Sequence, residues 1–128
     1  MNEDVLAYLH KADECLIDCQ ILVREGRYEA ACNRAYYAFF DAVRALLATK
    51  LISINSHSAA QSLFGLHFVK PGLFSAKYSR DVNRLMEKRQ GGDYELDIVL
   101  SQHDAEDSLQ TASEFNAVVR QYVNSLSV

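Results

Sequence analysis

The chain has 128 residues, a formal net charge of −4, 49% hydrophobic residues and 23% charged residues. These values are ordinary for one globular domain with a hydrophobic core. They exclude a surface broadly coated with basic residues for nucleic acid, while leaving room for a local basic patch. No run of about twenty apolar residues is present, and the acidic start, Asn2–Asp4, has the wrong charge for a secretory signal. We therefore expect a single cytoplasmic domain, residues 1–128, that does not span a membrane.

The three cysteines, Cys15, Cys19 and Cys32, form no CxxC pair. No pair of cysteines or histidines completes a familiar zinc-ligand set. An odd number of cysteines within helical patterns favours reduced, buried thiols. We therefore expect neither a metal site nor a cofactor.

Apolar residues at helical spacing predict a first helix from near Asp4 to Glu25. Glycine then ends it, because glycine tolerates the left-handed backbone that follows many helices. The short link Gly26–Arg27 forces the second helix, Tyr28–Leu51, to fold back antiparallel. The sequence therefore predicts a hairpin of two long helices.

The segment Ala30–Leu47 is the predicted centre of the molecule, because it contains neither glycine nor proline and carries two adjacent apolar stripes. Two stripes make a wide apolar arc, which is typical of a helix buried on most sides. The remaining arc is a polar seam, our first candidate site, formed by Asn33, Arg34, Tyr37, Asp41 and Arg44. The alternative is that the aromatic residues are plain core and that Asp41 and Arg44 are solvated.

Two further helices are predicted before the chain reaches its glycine pair. A short helix spans His57–Val69, with Ser56 as its N-cap. Lys70–Gly72 ends it, because proline lacks the amide donor and glycine tolerates the turn. Ser75 caps the next helix, Ala76–Gln90.

This fourth predicted helix carries a basic stripe. Its members fall within a narrow arc by steps of three, four and four residues: Lys77, Arg80, Arg84 and Lys88. One interpretation is a solvated face. The other is a surface that meets phosphates or an acidic partner.

Arg89 does not lie on the basic stripe, because about 100° of rotation per residue places it in the middle of the apolar face. Such an arginine either snorkels to solvent or is held by a carboxylate. Gly91–Gly92 permit a sharp reversal that would bring Asp93 back towards Arg89, with Tyr94 beside it. This group is the second candidate site.

The last helix begins after the connector Glu95–Leu100. Ser101 is its predicted N-cap, with Asp104 at the third position as a capping box, and an apolar stripe continues to Leu126. Helical periodicity dominates the whole chain and no alternating strand pattern is convincing. The fold class that follows is all-α, a bundle of four or five helices.

Four segments in this order resemble one known family: AACNRAYYAFFDAVRALL, HSAAQSLFGLHFVKPG, RQGGDYE and the final helix with its acidic start. They resemble the HEPN domain family, most of all its small stand-alone prokaryotic members, from about Val5 to Leu126. The resemblance implies an up-and-down bundle that forms a homodimer. It also implies a minimal nucleotidyltransferase (MNT) as partner, in pairs where the HEPN protein is often the toxin and the MNT protein its antitoxin.

The resemblance also implies a catalytic motif. Active family toxins are metal-independent ribonucleases with an arginine followed four to six residues later by a histidine, near the end of the third long helix. Arg89 matches the arginine, but Asp93, Tyr94 and Glu95 occupy the histidine positions. Some family toxins are silenced by nucleotidylation on a tyrosine just past the histidine, and Tyr94 lies near that place.

Three functions follow from these observations. The favoured one is a dimeric module that binds a nucleotidyltransferase and a nucleotide or RNA, through Arg34, Tyr37, Asp41, Tyr94 and the basic stripe. The second is a divergent ribonuclease in which Arg89 and Asp93 react while Arg34 or Arg84 holds phosphate. The third is a structural bundle in which Arg89 and Asp93 are a capping ion pair. No histidine is assigned a catalytic or metal-binding role, and His10 and His103 are expected to be exposed.

Overall fold

The computed structural model describes residues 2–94 and 99–126, with the backbone alone for residues 92–94. Within these residues the chain forms five α-helices and no strand, so the prediction of an all-α bundle is confirmed. The helices are α1 (Glu3–Arg24), α2 (Tyr28–Ala48), α3 (His57–Phe64), α4 (Lys77–Tyr94) and α5 (Gln102–Ser125). A π-helical turn, Gly65–Val69, continues α3.

The hairpin of α1 and α2 is present as predicted. Gly26 joins the helices with φ +74°, and the Arg27 N–H donates to the carbonyl of Leu22 at 2.8 Å. The second helix ends at Ala48, three residues before the predicted end. Leu51 takes φ +61°, a left-handed backbone that a right-handed helix does not contain.

Helix α2 is the centre of the fold, since it contacts α1, α3, α4 and α5. Its Tyr36, Phe39, Leu46 and Leu47 are fully buried. The wide apolar arc predicted from the sequence therefore describes a helix surrounded by its neighbours.

The serine caps predicted from the sequence hold the starts of three helices. Ser56 accepts a hydrogen bond from the first turn of α3, and Ser75 accepts one from the backbone N–H of Lys77. At α5 the Ser101 side chain accepts from the Asp104 N–H at 3.1 Å, and the Asp104 carboxylate accepts from the Ser101 N–H at 2.9 Å. Each cap satisfies backbone groups that a helix end otherwise leaves without partners.

The predicted reversal at the glycine pair is wrong. Helix α4 continues through Gly91 and Gly92 and ends at Tyr94. Glycine permits a reversal without imposing one, and Gly91 is buried, so the neighbouring turns carry the helix through it. Positions 89 and 93 therefore lie one turn apart on one helix. The side chains of Asp93 and Tyr94 and the whole of Glu95 lie outside the described residues.

The three cysteines are buried and free, as the sequence predicted. Burial raises the pKa of the Cys19 thiol to about 12. Across residues 2–94 and 99–126, the histidine, cysteine, aspartate and glutamate side chains form no group that could hold a metal ion. In the same described part of the chain, no helix combines the length and apolar character needed to cross a bilayer.

Candidate functional site

The polar seam of α2 is joined at Tyr37 by side chains from α3 and α4, and we name this group the Tyr37 cleft. Six residues define this Tyr37 cleft: Arg34, Tyr37, Asp41 and Arg44 of α2, His57 of α3 and Arg89 of α4. All are half-buried except Asp41, which is buried. The structure thus brings together four residues of the first candidate site and one residue, Arg89, of the second. The fifth residue of the first site, Asn33, accepts hydrogen bonds from the Arg34 guanidinium.

The ring of Tyr37 has two positive charges beside it. The guanidinium carbon of Arg34 is 5.0 Å from the centre of its ring, and that of Arg89 is 5.3 Å away. A guanidinium group at this distance is attracted by the electrons of the ring. The cleft therefore presents an aromatic side chain with cationic groups beside it.

Arg89 rests on the aromatic side chains of α2. Its guanidinium carbon also lies 5.4 Å from the ring of Tyr36, and its Nη1 lies 3.5 Å from the sulfur of Met86. These contacts explain how an arginine occupies the apolar face of α4, because a guanidinium group sheds water more readily than an ammonium group and stacks on rings. The predicted ion pair between Arg89 and Asp93 lies outside the described residues, because the side chain of Asp93 is not among them.

Arg44 is held in place by three elements. Its Nη2 donates to the Tyr8 hydroxyl at 2.8 Å and to Asn55 Oδ1 at 3.0 Å, while its Nη1 lies 3.6 Å from the Asp41 carboxylate. Its Nε is buried and has no hydrogen-bond partner among the described residues. The side chain is therefore fixed in position and keeps one unused donor.

Asp41 is only 7% exposed, so the sequence-based alternative of a solvated carboxylate is wrong. Burial raises the pKa of this carboxyl group, although Arg44, Lys11 and Arg34 act in the opposite direction. The Arg34 end of the seam opens into a cavity of about 260 Å³. Its lining residues are Lys11, Glu14, Cys15 and Asp18 of α1 with Arg34, Tyr37 and Asp41 of α2.

His57 is the site residue that the sequence did not reveal. Its Nδ1 and the Tyr36 hydroxyl are hydrogen-bonded at 2.5 Å, and its ring stacks on Phe40 with 4.3 Å between centres. Burial, followed by the charges of Arg89 and Arg44, lowers the pKa of this imidazole. One sequence signal did indicate where His57 lies in the fold. The predicted N-cap Ser56 makes His57 the first residue of α3.

The predicted basic stripe contacts carboxylates of this chain. Lys77 and Arg84 both contact the buried Asp81 at 2.9 Å, and Lys88 contacts Asp107 of α5 at 2.9 Å. Arg80 is exposed. Three of the four basic residues thus join carboxylates along α4 and α5, whereas Arg89 lies against α2.

A comparison with protein families decides the classification. The model of the HEPN domain matches residues 5–122, nearly the whole chain. The chain belongs to the HEPN family. The resemblance stated from the sequence is therefore confirmed, together with the bundle that it implied.

Relatives of this HEPN chain cover it almost completely. It is 32% identical over 126 residues to a UPF0332 protein of Thermotoga maritima, and the match spans 98% of this chain and 96% of that protein. It is also 32% identical over 115 residues to a Methanocaldococcus jannaschii protein named "Putative toxin MJ0605", with 90% and 85% covered. The crystal structure of TT1696 from Thermus thermophilus superposes with a TM-score of 0.79 at 20% identity, covering 94% of this chain and 98% of that one. That similarity supports the fold alone.

Proposed function

We propose that this HEPN protein is the toxin-type component of a toxin–antitoxin pair and that it binds RNA through the Tyr37 cleft. Two relatives from Methanocaldococcus jannaschii are named putative toxins, which supports the first part. The observation that carries the second part is the ring of Tyr37 with the guanidinium groups of Arg34 and Arg89 beside it.

Single-stranded RNA is the ligand whose chemistry fits this arrangement. Its bases stack on aromatic side chains and guanidinium planes, and its phosphates pair with arginine. The whole chain has a net charge of −4, so binding of this kind depends on local positive charge. Arg34 and Arg89 supply that charge beside the half-buried Tyr37, and Arg44 adds to it beside Phe40.

The same proposal includes a homodimer and a minimal nucleotidyltransferase as the antitoxin. Both come from the family, and the family membership of this chain supports them. Light scattering after gel filtration measures the oligomeric state. Co-expression with a minimal nucleotidyltransferase, followed by affinity capture of this chain, tests the partner.

Induced expression in a bacterial host tests the toxin role, with growth and total RNA followed together. The wild type is expected to arrest growth, and Arg89→Ala is expected to relieve the arrest at equal soluble protein. Arg24→Ala is the matched control, because Arg24 is an exposed arginine in the last turn of α1. Unimpaired growth with wild-type protein would contradict the toxin role.

Binding of a fluorescent single-stranded RNA to the purified protein tests the cleft in the same set of variants. Tyr37→Ala is expected to weaken binding by about tenfold, because one base stacked on an aromatic ring contributes roughly 1–3 kcal/mol. Equal affinity of Tyr37→Ala, Arg24→Ala and wild type would place the RNA elsewhere.

A second candidate function is metal-independent cleavage of RNA. The position of His57 favours it, because this imidazole contacts the same Tyr37 ring as Arg89, and an imidazole can accept and donate a proton. Loss of total RNA in the expression experiment, and cleavage in the presence of EDTA, would separate cleavage from binding alone. Arg89 and Asp93 remain the proposed reacting pair within this candidate, and Tyr94 remains a proposed contact for the partner.

A further inference from the structure

We propose that Arg44, His57 and Arg89 bind one phosphate group of the ligand, with Nε2 of His57 as a direct contact. The assignment rests on the RNA binding proposed above for the Tyr37 cleft, and it adds the groups that hold the phosphate. From the sequence, Arg44 and Arg89 were candidate site residues, whereas His57 had no role.

Two aromatic rings bring the three side chains together. Phe40 carries the stacked imidazole of His57 at 4.3 Å, and the guanidinium carbon of Arg44 lies 5.4 Å from the same ring. Tyr36 holds His57 through its hydroxyl, and the guanidinium carbon of Arg89 lies 5.4 Å from its ring. The imidazole therefore shares an aromatic neighbour with each arginine, and the charges of both act on it.

The hydrogen bond to Tyr36 orients the imidazole of His57. Because Nδ1 is bonded to the phenol, Nε2 is the ring nitrogen that remains for a ligand. His57 is also the first residue of α3, where backbone N–H groups and the helix dipole favour an anion. When the Tyr36 O–H donates to Nδ1, or when the ring is protonated, Nε2–H is a donor, and it then favours an anion as the helix start does.

Arg44 contributes a positioned positive charge to the proposed site. Tyr8, Asn55 and Asp41 fix its guanidinium group, yet its Nε is buried without a hydrogen-bond partner in the described part of the chain. Its distance of 3.6 Å from the Asp41 carboxylate is longer than a charge-assisted hydrogen bond. Asp41 therefore offsets part of the positive charge of Arg44 without a direct hydrogen bond.

Phosphate fits these donors better than a planar carboxylate does. A phosphate group offers oxygen atoms in several directions, whereas the donors here come from three separate helices. Arginine pairs readily with phosphate oxygens, through two parallel hydrogen bonds where geometry allows. Inorganic phosphate and single-stranded RNA carry this group in common, so both serve as probes.

Binding of phosphate should be coupled to protonation of His57. The charged groups that face the imidazole are Arg44 of α2 and Arg89 of α4, with Asp41 beside Arg44. Tyr36 and Tyr37 are the titratable neighbours from α2, and Tyr8 of α1 contacts Arg44. A bound anion offsets the field of the two arginines and favours the imidazolium form. Phosphate affinity should therefore rise as the pH falls through the titration of His57.

The experiment is an NMR titration of the histidine side chains of the full chain with inorganic phosphate at constant ionic strength. His57→Gln identifies the signal of His57. We expect this signal to move saturably and its pH midpoint to rise when phosphate is present. Arg44→Gln and Arg89→Gln should each weaken phosphate binding by about tenfold, the effect of losing roughly 1.4 kcal/mol. His103→Gln and Arg24→Gln, both at exposed positions, are the matched controls.

Each result decides for or against the phosphate site. If RNA binds and depends on Tyr37, but phosphate leaves the His57 signal unmoved, the phosphate site is overturned and the proposed function stands. Equal weakening in the control variants would indicate nonspecific binding and also overturn it. Loss of both RNA and phosphate binding would remove the two proposals together. Thermal melting verifies that each variant is folded. If one of the two arginine variants does not fold, the other is sufficient to test phosphate binding.

Discussion

At the scale of single residues, neighbours decide what each polar side chain of the Tyr37 cleft can do. Arg89 is accommodated on the apolar face of α4 because its guanidinium group contacts the rings of Tyr36 and Tyr37. His57 is held in one orientation and shares its surroundings with Arg44 and Arg89. The cleft therefore combines fixed positive charges with one group whose charge depends on pH.

The pKa of His57 should lie below that of an ordinary imidazole, because burial, then Arg89 and Arg44, disfavour its charged form. The unfolded chain then binds more protons than the folded one, so His57 reduces stability as the pH falls from about 6.5 through its folded pKa. NMR titration of native and urea-unfolded protein measures the difference. Arg89→Gln should raise the native midpoint and Arg24→Gln should leave it unchanged. Equal native and unfolded midpoints would contradict this environment.

Helical periodicity predicts Arg89 in this site but cannot predict His57. The position of Arg89 on the apolar face follows from rotation along its own helix. The contact of His57 with Tyr36 instead joins two helices, and it depends on the path of the connector, where Asn55 bonds to Arg44. Local patterns carry no information about such a path. The burial of Asp41 was missed because it depends on how α1 packs against α2, where Cys15 Sγ lies 3.9 Å from the carboxylate.

At the scale of helices, the basic stripe of α4 joins α4 to α5. Asp81 is 4% exposed and receives both Lys77 and Arg84, and Arg84 also donates to Thr111 of α5 at 2.8 Å. Lys88 completes the connection through Asp107. A single exposed ion pair contributes little to the free energy of unfolding. The buried carboxylate of Asp81 and the continuity of the network therefore matter more for the α4–α5 contact than the number of ion pairs.

Sequence signals predicted where helices start better than where they end. Serine caps act within one turn, and Ser56, Ser75 and Ser101 all cap as expected. Glycine is ambiguous, because Gly26 ends α1 with a positive φ whereas Gly91 continues α4. The difference lies in what surrounds each glycine, which sequence alone does not show.

Asp107 should make the α4–α5 contact sensitive to acid. The hydrogen bond from Lys88, and then the charges of Lys88 and Arg84, lower the pKa of Asp107 despite partial burial. A lowered pKa contributes stability above the unfolded value of about 4, and this stability is lost as the pH falls through the folded pKa. Urea unfolding between about pH 6 and pH 3 measures the effect. Asp107→Asn and Lys88→Met should both show a shallower loss than wild type. If both variants lost stability with the same pH dependence as wild type, the Lys88–Asp107 pair would contribute nothing to the acid sensitivity.

At the scale of the molecule, one helix supports both the core and the cleft. Tyr36 is fully buried and Tyr37 is half-buried, so adjacent residues of α2 belong to the two regions. On the core side, Phe39 of α2 stacks on Phe115 of α5, with 3.8 Å between ring centres and 3° between planes. The rigidity of the cleft therefore depends on how firmly the core holds α2.

Phe115 is the residue where this dependence can be measured. Its ring also contacts Phe64, Phe74 and Tyr78, so Phe115→Ala leaves a cavity among four neighbouring rings and should lower the free energy of unfolding by about 3–5 kcal/mol. Urea unfolding measures the loss.

Ile17→Ala is the control for Phe115→Ala, because Ile17 is 54% exposed and should change stability by no more than about 0.5 kcal/mol. Phe115→Leu, which keeps an apolar side chain, should lose less stability than Phe115→Ala because it leaves a smaller cavity. If Phe115→Ala cost as little as Ile17→Ala, the ring stack could not be what holds α5 against α2. The cleft would then owe its geometry to α1, α3 and α4 alone.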